Sequence, residues 1–143
     1  MFRTLLFGFT VLAVAATAAV AAPQKGKPPP TGPGCKPQVS VILRGTVAVA
    51  PTGGATLPFG LKVTVKHSNK LGQAYVTASQ PVTVNVTSDT KIRRDNEQGL
   101  DALRAMLVGD RVLVQARVCK ADLVGGKTPA LTAKRVGAHP AKS

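Results

Sequence analysis

From Val39 onward the chain alternates apolar and polar positions. Val39, Val41, Leu43, Val47 and Val49 fall on one side, and Ser40, Arg44 and Thr46 on the other. Successive strand side chains point to opposite faces, so this run predicts a half-buried β-strand. Gly45 interrupts the apolar row, as a glycine does where a strand bends sharply in a small barrel. Pro51-Thr52-Gly53-Gly54 predicts a turn. Leu61, Val63 and Val65 then alternate with Lys62, Thr64 and Lys66 in a second strand, which Ser68-Asn69-Lys70 ends. Tyr75 to Thr77 can extend a strand before the boundary at Pro81. Val82, Val84 and Val86, alternating with Thr83, Asn85 and Thr87, predict the third strand. After a bend at Ser88-Asp89, Thr90-Lys91-Ile92 continues that ribbon.

The period then changes. Leu100, Leu103, Met106 and Leu107 are spaced for one face of a short helix, with Asp101 and Arg104 toward solvent, and Gly109-Asp110 ends it. Alternation resumes: Val112, Val114, Ala116 and Val118 form an inward row opposite Arg111, Gln115 and Arg117, with Cys119 on the outward row. Gly125-Gly126-Lys127 predicts a hairpin loop. Leu131, Ala133 and Val136 close the pattern, with a change of phase that predicts a bulge. Three strand regions, one short helix and two strands predict an all-β fold, a small five-stranded OB-like barrel with its short helix between the third and fourth strand regions. An SH3-like barrel or an open meander fits the same order.

The flanks have no such alternation. Met1-Phe2-Arg3 is a short positive start, Leu5 to Val20 is apolar apart from Gly8, Thr10 and Thr17, and Ala19-Val20-Ala21 is a small-x-small site. This is the layout of a secretory leader cut after Ala21. An uncleaved anchor is the competing reading, since the apolar stretch is nearly long enough to span a bilayer. Pro23 to Pro37 holds six Pro and three Gly, too many for a packed element. The expected organisation is a leader over 1–21, a flexible tail over 22–38, the barrel over 39–138 and a frayed end over 139–143.

Charge narrows the choice of partners. The formal charge is +13, and loss of Arg3 with the leader leaves 18 Lys and Arg against six Asp and Glu, a net +12. Such an excess favours polyanions: anionic cell-envelope polymers, acidic lipid headgroups or nucleic acid. The plainer reading is that these charges are solvated strand faces. The strongest cluster is Lys91, Arg93 and Arg94 before the helix, joined by Arg111 and Arg117 on the outward face of the fourth strand. OB-like barrels bind oligomers across such a face. Nucleic acid is the less favoured partner, because beyond the leader only Phe59 and Tyr75 are aromatic and single-strand binders stack bases on aromatic rings. An anionic envelope polymer or another exported protein is preferred. A membrane enters only through an uncleaved leader.

Cys35 and Cys119 are the only cysteines. An even count in an exported chain favours a disulfide over two free thiols. Neither they nor the distant His67 and His139 show the close spacing of a zinc site, so no metal or cofactor is expected. A Ser or Cys nucleophile needs a base within reach, and neither histidine has an evident partner. The acidic residues Asp89, Asp95, Glu97, Asp101, Asp110 and Asp122 suit turns and caps. Gly126-Lys127-Thr128 lacks the upstream glycine and the strand-loop-helix context of a phosphate loop. Asn85-Val86-Thr87 is a formal glycosylation acceptor inside a strand and is read as accidental. The expected function is binding or structural, without catalytic residues.

Four segments together resemble a bacterial family of exported domains of unknown function, the one numbered 5666. They are Arg44-Gly45-Thr46-Val47, Val82 to Val86 with Thr87-Ser88-Asp89-Thr90-Lys91-Ile92, Val108-Gly109-Asp110-Arg111-Val112, and Leu131-Thr132-Ala133-Lys134-Arg135-Val136. The resemblance spans about residues 39–138. It implies a small OB-like barrel in an exported bacterial protein, and no reaction. The segment from Pro51 to Pro81 is longer than that family's usual one. For the leader, the expected outcome is an exported protein whose intact mass begins at Ala22; a mass that retains residues 1–21 identifies the uncleaved anchor.

Overall fold

A computed structural model describes residues 35–142. The expected leader, its cleavage site after Ala21 and the tail as far as Gly34 lie outside the described residues. The alternating runs become strands β1 (Gln38–Val47), β2 (Phe59–Ser68), β3 (Val82–Val86), β6 (Arg111–Cys119) and β7 (Leu131–His139). β1 hydrogen-bonds antiparallel to β2 on one edge and to β6 on the other. β3 joins the free edge of β2, and β7 that of β6. A short parallel contact, Val84 with Leu131 and Asn85 with Thr132, closes the ring. The result is a closed five-stranded barrel, as the alternation predicts.

After a turn, β4 (Lys91–Arg94) continues the third strand region and runs parallel to the second half of β7, with the two-residue β5 (Glu97–Gln98) on its outer edge. Thr90 fastens this bend. Its hydroxyl donates to the Ala133 carbonyl at 2.7 Å and accepts from the Thr87 N–H at 3.0 Å. The short helix α2 (Gly99–Arg104) follows in the expected place and buries Ala102 and Leu103, with Met106 just beyond it.

The core is built from the inward rows: Val41, Leu43 and Val47; Leu61, Val63 and Val65; Val84 and Val86; Val112, Val114, Ala116 and Val118; Leu131, Ala133, Val136 and Ala138. Each fully buried Val or Leu contributes about 1.5–3 kcal/mol relative to exposure. Val39, Val82 and Leu100 are only partly buried against it, and two expected core positions are outside it altogether. Val49 lies beyond the end of β1 and is 52% exposed; Leu107 is 59% exposed, because α2 stops at Arg104 and the following turn buries Met106 instead.

The segment from Pro51 to Pro81 holds one strand. Tyr75 to Thr77, expected to extend a strand, belongs to the five-residue helix α1 (Gln73–Thr77), entered through a 3-10 turn at Lys70–Gly72. One of its side-chain partners is distant in sequence and one is near. Tyr75 is buried in the core and its hydroxyl donates to the Pro129 carbonyl at 2.7 Å, while Gln80 donates to the Tyr75 carbonyl at 2.8 Å and accepts the Val65 N–H at 2.9 Å. β7 carries the expected bulge: Gln115 faces Arg135 and Ala116 faces Ala133, leaving Lys134 as the extra residue. The link from β6 to β7 is longer than a hairpin loop. It runs through 3-10 turns over Lys120–Gly126, with Gly125 and Gly126 both at positive φ.

Cys35 and Cys119 form a disulfide, with 5.8 Å between their α-carbons and a sequence separation of 84. Both are buried, although Cys119 is on the outward row of β6, and neither belongs to the apolar core. The Lys120 N–H donating to the Pro37 carbonyl at 3.2 Å extends the same seam. In the chain-entropy account a closed loop of this size contributes on the order of 4 kcal/mol. Such a cross-link persists in an oxidising compartment.

β1 changes register against β2 between Arg44 and Gly45. A Cβ added at Gly45 would fall onto the Thr64 carbonyl, backbone that has no rotamer with which to give way. Gly45→Ala is therefore expected to destabilise the domain by about 3 kcal/mol, read as a shift of the urea midpoint without a change of slope.

Candidate anion-binding surface

Because inward and outward side chains alternate, the core rows leave a complementary set of outward rows, and the pairing register decides which of those residues are neighbours. One row crosses five strands: His67 on β2 faces Arg44 on β1, Arg44 faces Leu113 on β6, Leu113 faces Gly137 on β7, and Gly137 faces Arg93 on β4. On one side of it runs Thr46, Arg111 and His139; on the other, Ile42, Gln115, Arg135 and Lys91. With Lys66, the extra residue at the β2 irregularity, these rows form a belt of exposed cations and histidines around the barrel. Four inter-strand spacings make it about 19 Å across, measured along the curve.

The belt contains two larger grooves beside a smaller depression at Ile42, Arg44 and His67. The first, about 370 Å³, is lined by Arg44, Lys66, His67, Arg111 and His139 over a floor that includes Gly45, Val112 and Leu113. The second, about 670 Å³, lies between β4, β7 and the start of α2, with Lys91, Arg93 and Arg135 around Thr90, Gln98 and Gly99. Gly137 separates them in the register. A Cβ there would meet nothing within 4 Å, so no side chain divides the two grooves at that point.

The five expected anion-binding residues are thus distributed unequally. Lys91 and Arg93 line the second groove and Arg111 the first. Arg117 is six residues along β6 from Arg111, about 20 Å away, in a separate depression with Val118, Cys119, Asp122 and Pro129. Arg94 is turned toward Asp110 and committed to it. The residues that complete the belt are Arg44, Lys66, His67, Arg135 and His139. Arg44 and Lys66 read in the sequence only as outward strand positions, and the two histidines only as residues without an evident partner. Their common surface follows from cross-strand register, which no local spacing encodes.

Acids are scarce on this surface. Among the described residues, Asp95 lies 3.7 Å from His139 and 3.8 Å from Arg94, and no carboxylate is at ion-pair distance from Arg44, Lys66, Lys91, Arg93, Arg111 or Arg135.

Arg94 and Asp110 have a structural role. The Arg94 Nε donates to Asp110 Oδ2 at 2.7 Å, and the Leu107 N–H donates to the same oxygen at 3.0 Å. Burial alone would push the Asp110 carboxyl up. The Arg94 hydrogen bond, the Leu107 N–H, the Arg94 charge and the Ala141 N–H together outweigh it and hold the carboxyl below its usual range. The same hydrogen bond raises the Arg94 guanidinium further. One carboxylate therefore ties β4, the turn before β6 and the chain beyond β7. Pro140 is engaged as well, its carbonyl accepting from Arg111 Nε at 3.4 Å.

A depressed folded value means that the Asp110 contribution is complete above the ordinary carboxylate range and is lost as pH falls through the folded value. Asp110→Asn leaves Arg94 without its counter-charge and is expected to cost about 3 kcal/mol at pH 7. In urea melts across pH the gap between wild type and variant narrows toward pH 2; a constant gap shows that the pair contributes no charge-dependent stability.

No family model, curated protein or solved structure matches the chain.

Proposed function

We propose that this protein is an exported, non-enzymatic binding module that holds an anionic polymer of the cell envelope along the outer belt of its barrel. The observation that carries this reading is the belt: six Lys and Arg side chains without a carboxylate at ion-pair distance among the described residues, brought together from five strands. Uncompensated cations repel one another and attract polyanions. The belt curves with the barrel, so a flexible chain can follow it from groove to groove across Gly137, whereas a rigid duplex touches only part of it.

The aromatic side chains favour a polymer without bases. Tyr75 is buried with its hydroxyl engaged, and Phe59 packs against the core. Neither is a stacking platform for single-stranded nucleic acid. The resemblance to the exported family numbered 5666 supports an envelope role, and its four segments fall on the Gly45 irregularity, the Thr90 bend, the Asp110 turn and the β7 bulge. The disulfide supports an extracytoplasmic setting.

The test is a binding panel of polyphosphate, a teichoic-type polymer, single-stranded DNA and a neutral glycan at low and high salt. The two flexible phosphate polymers are expected to bind with a steep loss of affinity as salt rises, and the neutral glycan not to bind. Arg44→Ala, Arg93→Ala and Arg135→Ala together should weaken polyphosphate binding at least about tenfold and flatten the salt slope. Gly137→Leu places a side chain in open space between the grooves. It is expected to leave the urea midpoint in place and weaken the long polymer more than a short phosphate oligomer. Full affinity in the triple variant moves the site off the belt.

A further inference from the structure

At one end of the barrel three aliphatic side chains stand in solvent: Val49 is 52% exposed, Leu107 59% and Val108 65%. They come from two segments that the backbone holds together. The Val47 N–H donates to the Asp110 carbonyl and the Gly109 N–H donates to the Val47 carbonyl, both at 2.9 Å, so the chain leaving β1 runs beside the turn that enters β6. From these observations we infer that this end of the barrel is an interfacial anchor for an anionic lipid bilayer, inserting Val49, Leu107 and Val108 among the lipids. The inference deepens the reading of a module that meets anionic envelope components, and names the lipid surface as the one met by this end.

Three features support it. First, the turn is already satisfied internally: the Leu107 N–H donates to the Asp110 carboxylate, the Asp110 N–H to the Leu107 carbonyl at 3.1 Å, and the Gly109 N–H to Val47. A segment entering an apolar phase must not bring in bare backbone donors, and here those of Leu107, Gly109 and Asp110 are already bonded. Second, the acid of this turn is hidden. Asp110 is buried and paired with Arg94, so it presents no carboxylate to a negative surface. Third, the flanking charges are positive. Lys62, whose carbonyl accepts the Ala48 N–H, Arg111, next to Asp110, and Lys142, next to the Ala141 whose N–H reaches the Asp110 carboxylate, are all exposed. Apolar insertion and attraction to anionic headgroups act together in interfacial binding.

The alternatives fit less well. A tip of three aliphatic residues offers far less than the roughly 800 Å² per partner of a stable protein interface. A second copy of a chain that carries +12 without its leader would bring like charges together.

The sequence contains no Trp, so Leu107→Trp gives a single fluorescent reporter at the tip. With the disulfide-intact exported protein and vesicles of equal phosphatidylglycerol and phosphatidylcholine, its emission is expected to shift to the blue, and with phosphatidylcholine alone to stay unchanged. In co-sedimentation the double variant Leu107→Gln, Val108→Gln should partition onto the anionic vesicles about tenfold less than wild type, while its polyphosphate binding and urea midpoint stay the same. Undiminished partitioning of that variant, or an unshifted reporter, overturns the anchor. So does a concentration-dependent dimer that the double variant abolishes. Polyphosphate binding without vesicle binding sinks the anchor and leaves the belt standing; loss of both sinks the two together.

Discussion

A ten-residue strand that hydrogen-bonds along both edges while turning the wall of a five-stranded barrel has little freedom left. β1 is in that position: β2 occupies one of its edges and β6 the other, and ring closure at β3 and β7 depends on both pairings. Where the register against β2 changes, the backbone of β1 presses against Thr64 so closely that no side chain fits at Gly45. The missing methyl is a condition for closure. The shift also sets which outward residues face one another, since it brings Arg44 opposite His67 and leaves Lys66 as the extra residue. The geometry of the first groove thus follows from the constraint that closes the barrel.

Two further fastenings hold what Gly45 permits. The disulfide pins the entrance of β1 to the end of β6, at the opposite end of the strand from the Asp110 turn, where the Arg94 pair collects β4, the turn and the chain beyond β7. Both lie outside the apolar core, and each joins segments distant in sequence. The Asp110 pair also shields a carboxylate from a basic surface. An exposed acid in that place would neutralise Arg111 or its neighbours; a buried one spends its charge on Arg94 alone.

The inward rows were legible because they are written in consecutive residues: a period of two in β1, β2, β3 and β6, the switch of period at α2, the change of phase that marks the Lys134 bulge. Tyr75 to Thr77 was not, because its β-prone residues are overridden by contacts with Pro129 and the core, neither of them visible at local range. The candidate surface was legible only in part for a related reason. Lys91, Arg93 and Arg111 were found as charges in a local cluster or on an outward row, but clustering in sequence also selected Arg94, which Asp110 neutralises, and an outward position selected Arg117, which lies at the far end of its strand. Arg44 and Arg135 are 91 positions apart in the chain. Only the register across β1, β6 and β7 puts them on one surface.

A closed barrel of this size assigns packing almost wholly to its inward rows, and this leaves the outward rows free to carry charge without weakening the core. Concentrating cations on one belt has a cost in mutual repulsion. Here it is borne by a closed ring, a long-range disulfide and a buried ion pair. The carboxylates near the belt lie at its margins, Asp95 beside His139 and Asp110 beneath Arg94. The belt and the apolar tip also share a boundary residue, because Arg111 lines the first groove and adjoins the Asp110 turn. A ligand in the first groove would therefore lie next to the end of the barrel that presents Val49, Leu107 and Val108.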